Sequence, residues 1–253
     1  MFSIFLRCPP GEEDGLTAEL WEQNTAGIVE EPGGLRAFFD DEVSEPDVLR
    51  RFSNHAPELR REPDTDWEQA TRDAWPPMLV GERFFLAPPW CNDLPPDGRM
   101  LLEIEPGMAC GTGRHPATQL CLEALERYVR PGSTVVDVGT GSGILAEAAR
   151  LLEAARVVAC DIDYDAVAIA RRRAGIEFFA GSLDAVSAST ADVIVANINS
   201  ETNERLLGEF ERVRRPGGVL ILSGFPEWDI PEGFGDGEVK HREEWVCLIV
   251  SEL

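Results

Sequence analysis

"VVDVGTGSGIL", residues 135–145, decides the fold. Apolar, mostly β-branched residues run up to an aspartate, three glycines alternate with small residues, and an apolar pattern resumes at Ile144. A buried strand that ends in a glycine turn and opens a helix reads in this order. Gly139, Gly141 and Gly143 let the backbone come close to a ligand, and the first N–H groups of the helix have no partners inside it. The spacing is G-x-G-x-G, whereas a dinucleotide fingerprint is G-x-G-x-x-G with the helix start facing a pyrophosphate. Asp137, at the strand's end, either holds the turn or receives an ammonium group through water. A pyrophosphate would be repelled by it.

Downstream of this stretch, strands and helices alternate. "RVVACDID" (156–163), "IEFFAGS" (176–182), "ADVIVANI" (191–198), "GGVLILSGF" (217–225) and "EEWVCLIV" (243–250) read as strands. "QLCLEALERYV" (119–129), "ILAEAARLLE" (144–153), "DAVAIARRRAG" (165–175) and "NERLLGEFERVRR" (203–215) read as helices. The alternation predicts an α/β, doubly wound, mostly parallel sheet with helices on both faces. In such a sheet ligands sit beyond the carboxyl ends of the strands, where the strand order reverses. Asp161 falls at such an end and can accept hydrogen bonds from both hydroxyls of a ribose, with Asp163 the alternative. Asn197 ends the next strand over the same cleft. Acidic strand ends around a glycine loop suit a nucleoside that carries positive charge, such as S-adenosylmethionine, better than a phosphorylated one. An NAD-type site, or glycines that only make tight turns, is the competing interpretation. Arg171, Arg172 and Arg173 are expected on a solvated helix end.

Upstream, "RFFLAPPW" (83–90) and "RMLLEIEP" (99–106) read as strands leading into a second glycine-rich loop, "EPGMACGTGRHPATQLCL" (105–122). The first 60 or so residues follow a βαββαβ pattern: "FSIFLRC", a helix with Leu16, Leu20 and Trp21 on one side, "GIVEE" and "LRAFFDD" around a "PGG" turn, "SEPDVLRRFSN", and "PELRREP". That pattern predicts a small α+β ferredoxin-like domain over 1–61. A polar, proline-flanked linker over 62–76 and a main domain over 77–253 complete the expected organisation.

With 46 acidic residues against 23 basic ones, the formal net charge is -23. Such a field repels nucleic-acid backbones and anionic membranes and attracts basic partners, so no direct nucleic-acid binding and no membrane association are expected. The N-terminus is apolar only briefly before Arg7, which points to a cytoplasmic chain, and a monomer is expected. Cys8, Cys91, Cys110, Cys121, Cys160 and Cys247 are scattered without a C-x-x-C pair, as reduced buried thiols are. Three histidines without a ligand cluster predict no metal site.

"DVGTGSGIL…CDID…ADVIVANI…RPGGVLILSG" resembles the motif series of class I S-adenosylmethionine-dependent methyltransferases. Within that class, "PGMACGTGRHPAT" (106–118) ahead of the glycine loop and "EEWVCLI" near the C-terminus are similar to the ribosomal protein L11 methyltransferase (PrmA) family. The resemblance implies two loops that clamp one S-adenosylmethionine, with Thr118, Gly139, Gly141, Asp161 and Asn197 as its contacts. It implies methyl transfer to amines, lysine side chains or an N-terminal α-amine, of the basic ribosomal protein L11, with the first domain recognising that protein. The alternatives are a related lysine methyltransferase acting on a different protein, or an inactive cofactor-binding docking module.

Methyl transfer needs no covalent intermediate. Asn197 is expected to orient the acceptor amine through its side-chain carbonyl. His115 is either a general base or, as the favoured interpretation, a residue that orients backbone or packs on an aromatic ring. The run Asn197-Ile198-Asn199-Ser200 lacks the Asn-Pro-Pro-aromatic motif, which argues against planar amino groups of nucleobases or glutamine amides as acceptors.

Overall fold

The computed structural model describes residues 1–8, 13–61, 72–104 and 113–251. It divides into two compact units, Met1–Asp73 and Ala74–Leu253. The stretch 62–71, most of the expected linker, lies outside the described residues, as does 105–112 of the upstream loop.

In the first unit the order is β1 (Phe2–Arg7), α1 (Glu13–Trp21), β2 (Gly27–Glu31), β3 (Gly34–Phe39), α2 (Glu45–Arg51) and β4 (Glu58–Arg61). The sheet runs β2-β3-β1-β4 with every neighbouring pair antiparallel. Strand alternation puts Phe2, Ile4 and Leu6 of β1 beside Leu35, Ala37 and Phe39 of β3 on one face. Leu16 and Leu20 of α1, Val48 of α2, and Phe52 cover that face. Trp21 is not on this side: it is 55% exposed. Leu16 and Leu20 share a helix stripe four residues apart, and the next residue lies about 100° further round.

The second unit begins with a three-stranded sheet, β5 (Met78–Val80), β6 (Phe84–Ala87) and β7 (Met100–Glu103). The carboxylate of Glu126 accepts the N–H groups of Glu82 and Arg83, both at 2.9 Å, which fastens the β5–β6 turn to the helix that carries it. The chain continues through α3 (Pro116–Tyr128), β8 (Thr134–Val138), α4 (Ile144–Leu151), β9 (Arg156–Asp161), α5 (Tyr164–Ala170), β10 (Glu177–Ala180), β11 (Ala191–Asn197), α6 (Ser200–Val213), β12 (Arg214–Pro226), β13 (Glu238–Arg242) and β14 (Trp245–Val250). The large sheet has the order β10-β9-β8-β11-β12-β14-β13. Its first five strands are parallel, and β14 enters antiparallel between β12 and β13.

The inner strands are buried on both faces, which is why β8, β9, β11, β14 and the middle of β12 read as apolar runs. Val135, Val157, Val193, Val195 and Ile221 face one core with α3 and α4. Val136, Val158, Ile194, Leu220 and Leu222 face the other with Phe210 and Val213 of α6. The sheet reverses direction of growth at β8, with β9 on one side and β11 on the other. A crevice at the carboxyl ends of β8 and β11 follows from that switch.

Candidate active site

The glycine loop after β8 holds three left-handed residues, with φ of 70° at Gly139, 52° at Gly141 and 78° at Gly143. Side chains rarely adopt that conformation, and at Gly139 a Cβ would also come within 2.4 Å of Ile198 Cγ2. The loop is tied to β9 by backbone: the N–H groups of Gly139 and Thr140 both donate to the Cys160 carbonyl, at 2.9 and 3.0 Å. Beneath it Asp137 is fully buried. Its Oδ2 accepts from Thr140 Oγ1 at 2.6 Å and from the Ala146 N–H at 3.1 Å. Of the two roles the sequence allows, holding the turn is the one these bonds display. Burial pushes the Asp137 carboxyl up to about 7, against the opposing pull of the Thr140 and Ala146 hydrogen bonds.

Asp161 ends β9 as expected. One carboxylate oxygen accepts the Gly141 N–H at 2.9 Å, and the other accepts the N–H of Asp163 at 3.0 Å. Each oxygen keeps lone-pair capacity beyond that one bond, enough for the two hydroxyls of a ribose. Asp163, the alternative, is instead the N-cap of α5, with its Oδ1 accepting from the Asp165 N–H at 2.9 Å. Between them Ile162 is 86% exposed. This apolar surface beside the carboxylate was not singled out from the sequence. The signal was an isoleucine set between two strand-end aspartates.

The upstream loop returns to view at Gly113, with φ of 78°. A Cβ there would lie 2.5 Å from Leu86 Cδ2 and 2.7 Å from Ile144 Cδ1, so only glycine lets this segment rest on the first residue of α4. The two glycine segments therefore meet at Ile144. His115 follows as the N-cap of α3, its Nδ1 accepting the Ala117 N–H at 3.3 Å. Its ring meets Trp245 edge-on, with centroids 4.3 Å apart and planes at 73°. A ring whose Nδ1 accepts carries its proton on Nε2 when neutral, so neither nitrogen then offers a free lone pair.

One turn into α3, buried Thr118 receives a hydrogen bond at 3.0 Å from Nδ2 of Asn197, at the end of β11. Two residues 79 positions apart are thus joined over the crevice. The turn after Asn197 is held by β12: Ile198 N–H donates to the Ser223 carbonyl at 3.0 Å. Gly224, with φ of 98°, lies where a Cβ would come within 2.6 Å of the Ile198 carbonyl oxygen. Asn199 caps α6 by accepting the Thr202 N–H at 2.9 Å. Its side chain is thereby committed to the helix.

The residues fit a nucleoside with a cationic sulfonium: a strand-end carboxylate with spare acceptor capacity, an exposed apolar side chain beside it, and a glycine loop without room for side chains. A sheet of this order with this loop and carboxylate defines a class I S-adenosylmethionine-dependent methyltransferase, and S-adenosylmethionine is its cofactor. The model of a family described as "Ribosomal protein L11 methyltransferase (PrmA)" matches residues 17–252. A ribosomal protein L11 methyltransferase of Symbiobacterium thermophilum is 39% identical over 262 residues, covering 96% of this chain and 83% of the relative. The one from Deinococcus radiodurans is 36% identical over 258 residues, covering 93% and 92%. Among solved structures, a ribosomal protein L11 methylase from Lactobacillus delbrueckii subsp. bulgaricus matches with a TM-score of 0.61 and 28% identity, over 68% of this chain and 96% of that one. The chain belongs to the ribosomal protein L11 methyltransferase (PrmA) family.

Proposed function

We propose that this chain methylates amines of ribosomal protein L11, the protein its relatives are named for. The observation that carries the mechanism is the Asn197–Thr118 hydrogen bond. With Nδ2 engaged by Thr118, the carbonyl oxygen of Asn197 is the end left to accept from an acceptor amine. When bound, S-adenosylmethionine supplies an electrophilic methyl on a sulfonium that departs as a neutral thioether. In this proposal Asp161 and Ile162 hold the nucleoside, Gly139 and Gly141 admit it to the backbone, and Thr118 and Asn197 line the transfer side.

A lysine amine has a pKa of about 10.4 and attacks only after losing its proton. In this scheme the proton goes to water before the amine docks, and Asn197 aligns the neutral lone pair with the methyl carbon; alignment of two bound reactants can supply much of the rate. His115 is a helix cap here and takes no proton. The net charge of -23 favours capture of a basic protein, with the first unit recognising it, and a monomeric chain acting in the cytoplasm without direct nucleic-acid contact completes the proposal.

Intact-mass spectrometry of L11 incubated with this chain and S-adenosylmethionine tests it. Successive single-methyl increments are expected, and peptide mapping names the amines. No increment, with cofactor binding intact by calorimetry, would move the substrate to another protein or leave a docking module without turnover.

A further inference from the structure

Arg173 does not stay on the solvated helix end where the sequence places it. Its Nε donates to the Ser142 carbonyl at 3.0 Å, inside the glycine loop. Its Nη2 donates to the Glu103 carbonyl at 3.2 Å, at the last residue of β7, two residues ahead of the upstream glycine-rich stretch. The stem of the side chain lies over Gly143, where an added Cβ would come within 3.1 Å of Arg173 Cδ. A guanidinium presents its donors in a rigid planar fork, so one side chain can hold two carbonyls from separate segments at once. The ammonium of a lysine is a compact point donor and does not reproduce that fork.

The opposite side of the loop is held by β9 through the Cys160 carbonyl and the Asp161 carboxylate. Arg173 thus supplies the second side of the frame, and it links the root of one glycine segment to the body of the other. We propose that Arg173 is a positioning residue for S-adenosylmethionine, holding the glycine loop against the end of β7 before the ligand arrives. The proposal rests on the cofactor assignment of that loop. Arg173 touches no reacting atom, so its removal lowers affinity by loosening a preorganised site and leaves the chemical step alone.

Calorimetric titration of S-adenosylmethionine into the wild type, Arg173→Ala, Arg173→Lys and Arg171→Ala tests this, alongside amide hydrogen exchange of residues 139–146 in the ligand-free proteins. Arg171 is the control, since its guanidinium bonds the Phe178 carbonyl instead. Arg173→Ala is expected to raise Kd about tenfold, or about 1.4 kcal/mol, and to speed exchange in the loop. Arg173→Lys should fall between it and the wild type, with kcat at saturating cofactor within about twofold for both. Arg171→Ala should change neither readout. If Arg173→Ala does not fold, the lysine variant carries the same comparison. Wild-type affinity and wild-type exchange in the Arg173 variants would overturn the proposal. A wild type that fails to bind would overturn the cofactor assignment itself, a result the titration separates from the first.

Discussion

The two walls of the crevice are built differently. On the β8–β9 side, backbone does most of the holding: two N–H groups share the Cys160 carbonyl, a third reaches Asp161, and buried Asp137 braces the turn from below. On the α3–β11 side, one hydrogen bond between two side chains joins Thr118 to Asn197. A backbone cradle is stiff and demands glycine, but it reads little of the ligand beyond shape. A side-chain pair is easily altered, and the orientation of one amide group decides what it presents. In the function proposed above, the first wall governs whether the cofactor binds, and the second governs how an acceptor is aligned.

That contrast breaks most sharply at Gly139. An alanine there meets both a left-handed φ and Ile198 Cγ2 at 2.4 Å, so the loop must move or Ile198 must yield. Gly139→Ala is expected to weaken S-adenosylmethionine binding by more than about 100-fold, and calorimetry giving less than about tenfold would show that the cradle is not tight. Next comes Asp161→Ala, which removes a charged acceptor from the Gly141 N–H and, in the proposed site, from the ligand. Hydrogen bonds to charged groups contribute about 1.5–3 kcal/mol, so a loss of about 10- to 100-fold in affinity is expected. Unchanged affinity would reassign the carboxylate to the turn alone.

The backbone wall was the legible one. Glycine spacing and apolar strand runs mark a loop at a strand end in any α/β sheet, and Asp161 follows from counting to the end of its strand. What periodicity could not show were contacts made by long or remote side chains. Arg173 sits in a run of three arginines that reads as solvent-facing, yet its fork reaches two carbonyls. Strand β13 was missed because it is a polar edge: "EVKHR" carries Lys240 and Glu238 in an ion pair, and Arg242 pairs with Glu123 of α3. Trp21 follows Leu20 directly in the sequence, but the stripe set by Leu16 and Leu20 excludes it, and it is exposed. The resemblance names Thr118 and Asn197 separately as contacts of one site, but their direct hydrogen bond was not legible, because nothing local brings together residues so far apart in the chain.

The side-chain wall gives smaller and more selective effects. Thr118→Val removes the acceptor that fixes the Asn197 amide, and is expected to lower kcat about tenfold with a smaller change in cofactor affinity. Thr118→Ser keeps the hydroxyl and should restore most of the rate. A serine variant as slow as the valine one would mean that packing around the threonine methyl, not the hydrogen bond, positions Asn197.

The smallest effect is expected at His115, and it separates the two roles the sequence left open. As an N-cap, His115 uses Nδ1 to accept a backbone N–H, and its ring rests on Trp245. Asparagine is among the strongest capping residues, so His115→Asn preserves the cap while deleting the imidazole. In the proposed scheme kcat should then stay within about threefold of wild type, because that scheme makes no use at this residue of general-base catalysis, which contributes about 10²–10⁴-fold where it operates. His115→Ala loses the cap as well and should cost about 0.5–2 kcal/mol of stability, with kcat again little changed. The pH–rate profile decides the matter independently. If the acceptor amine loses its proton to water, the rate keeps rising toward the lysine pKa in wild type and His115→Asn alike. A limb near neutrality that vanishes in the asparagine variant, with a hundredfold drop in kcat, would make His115 the base and demote the cap to a ground-state arrangement.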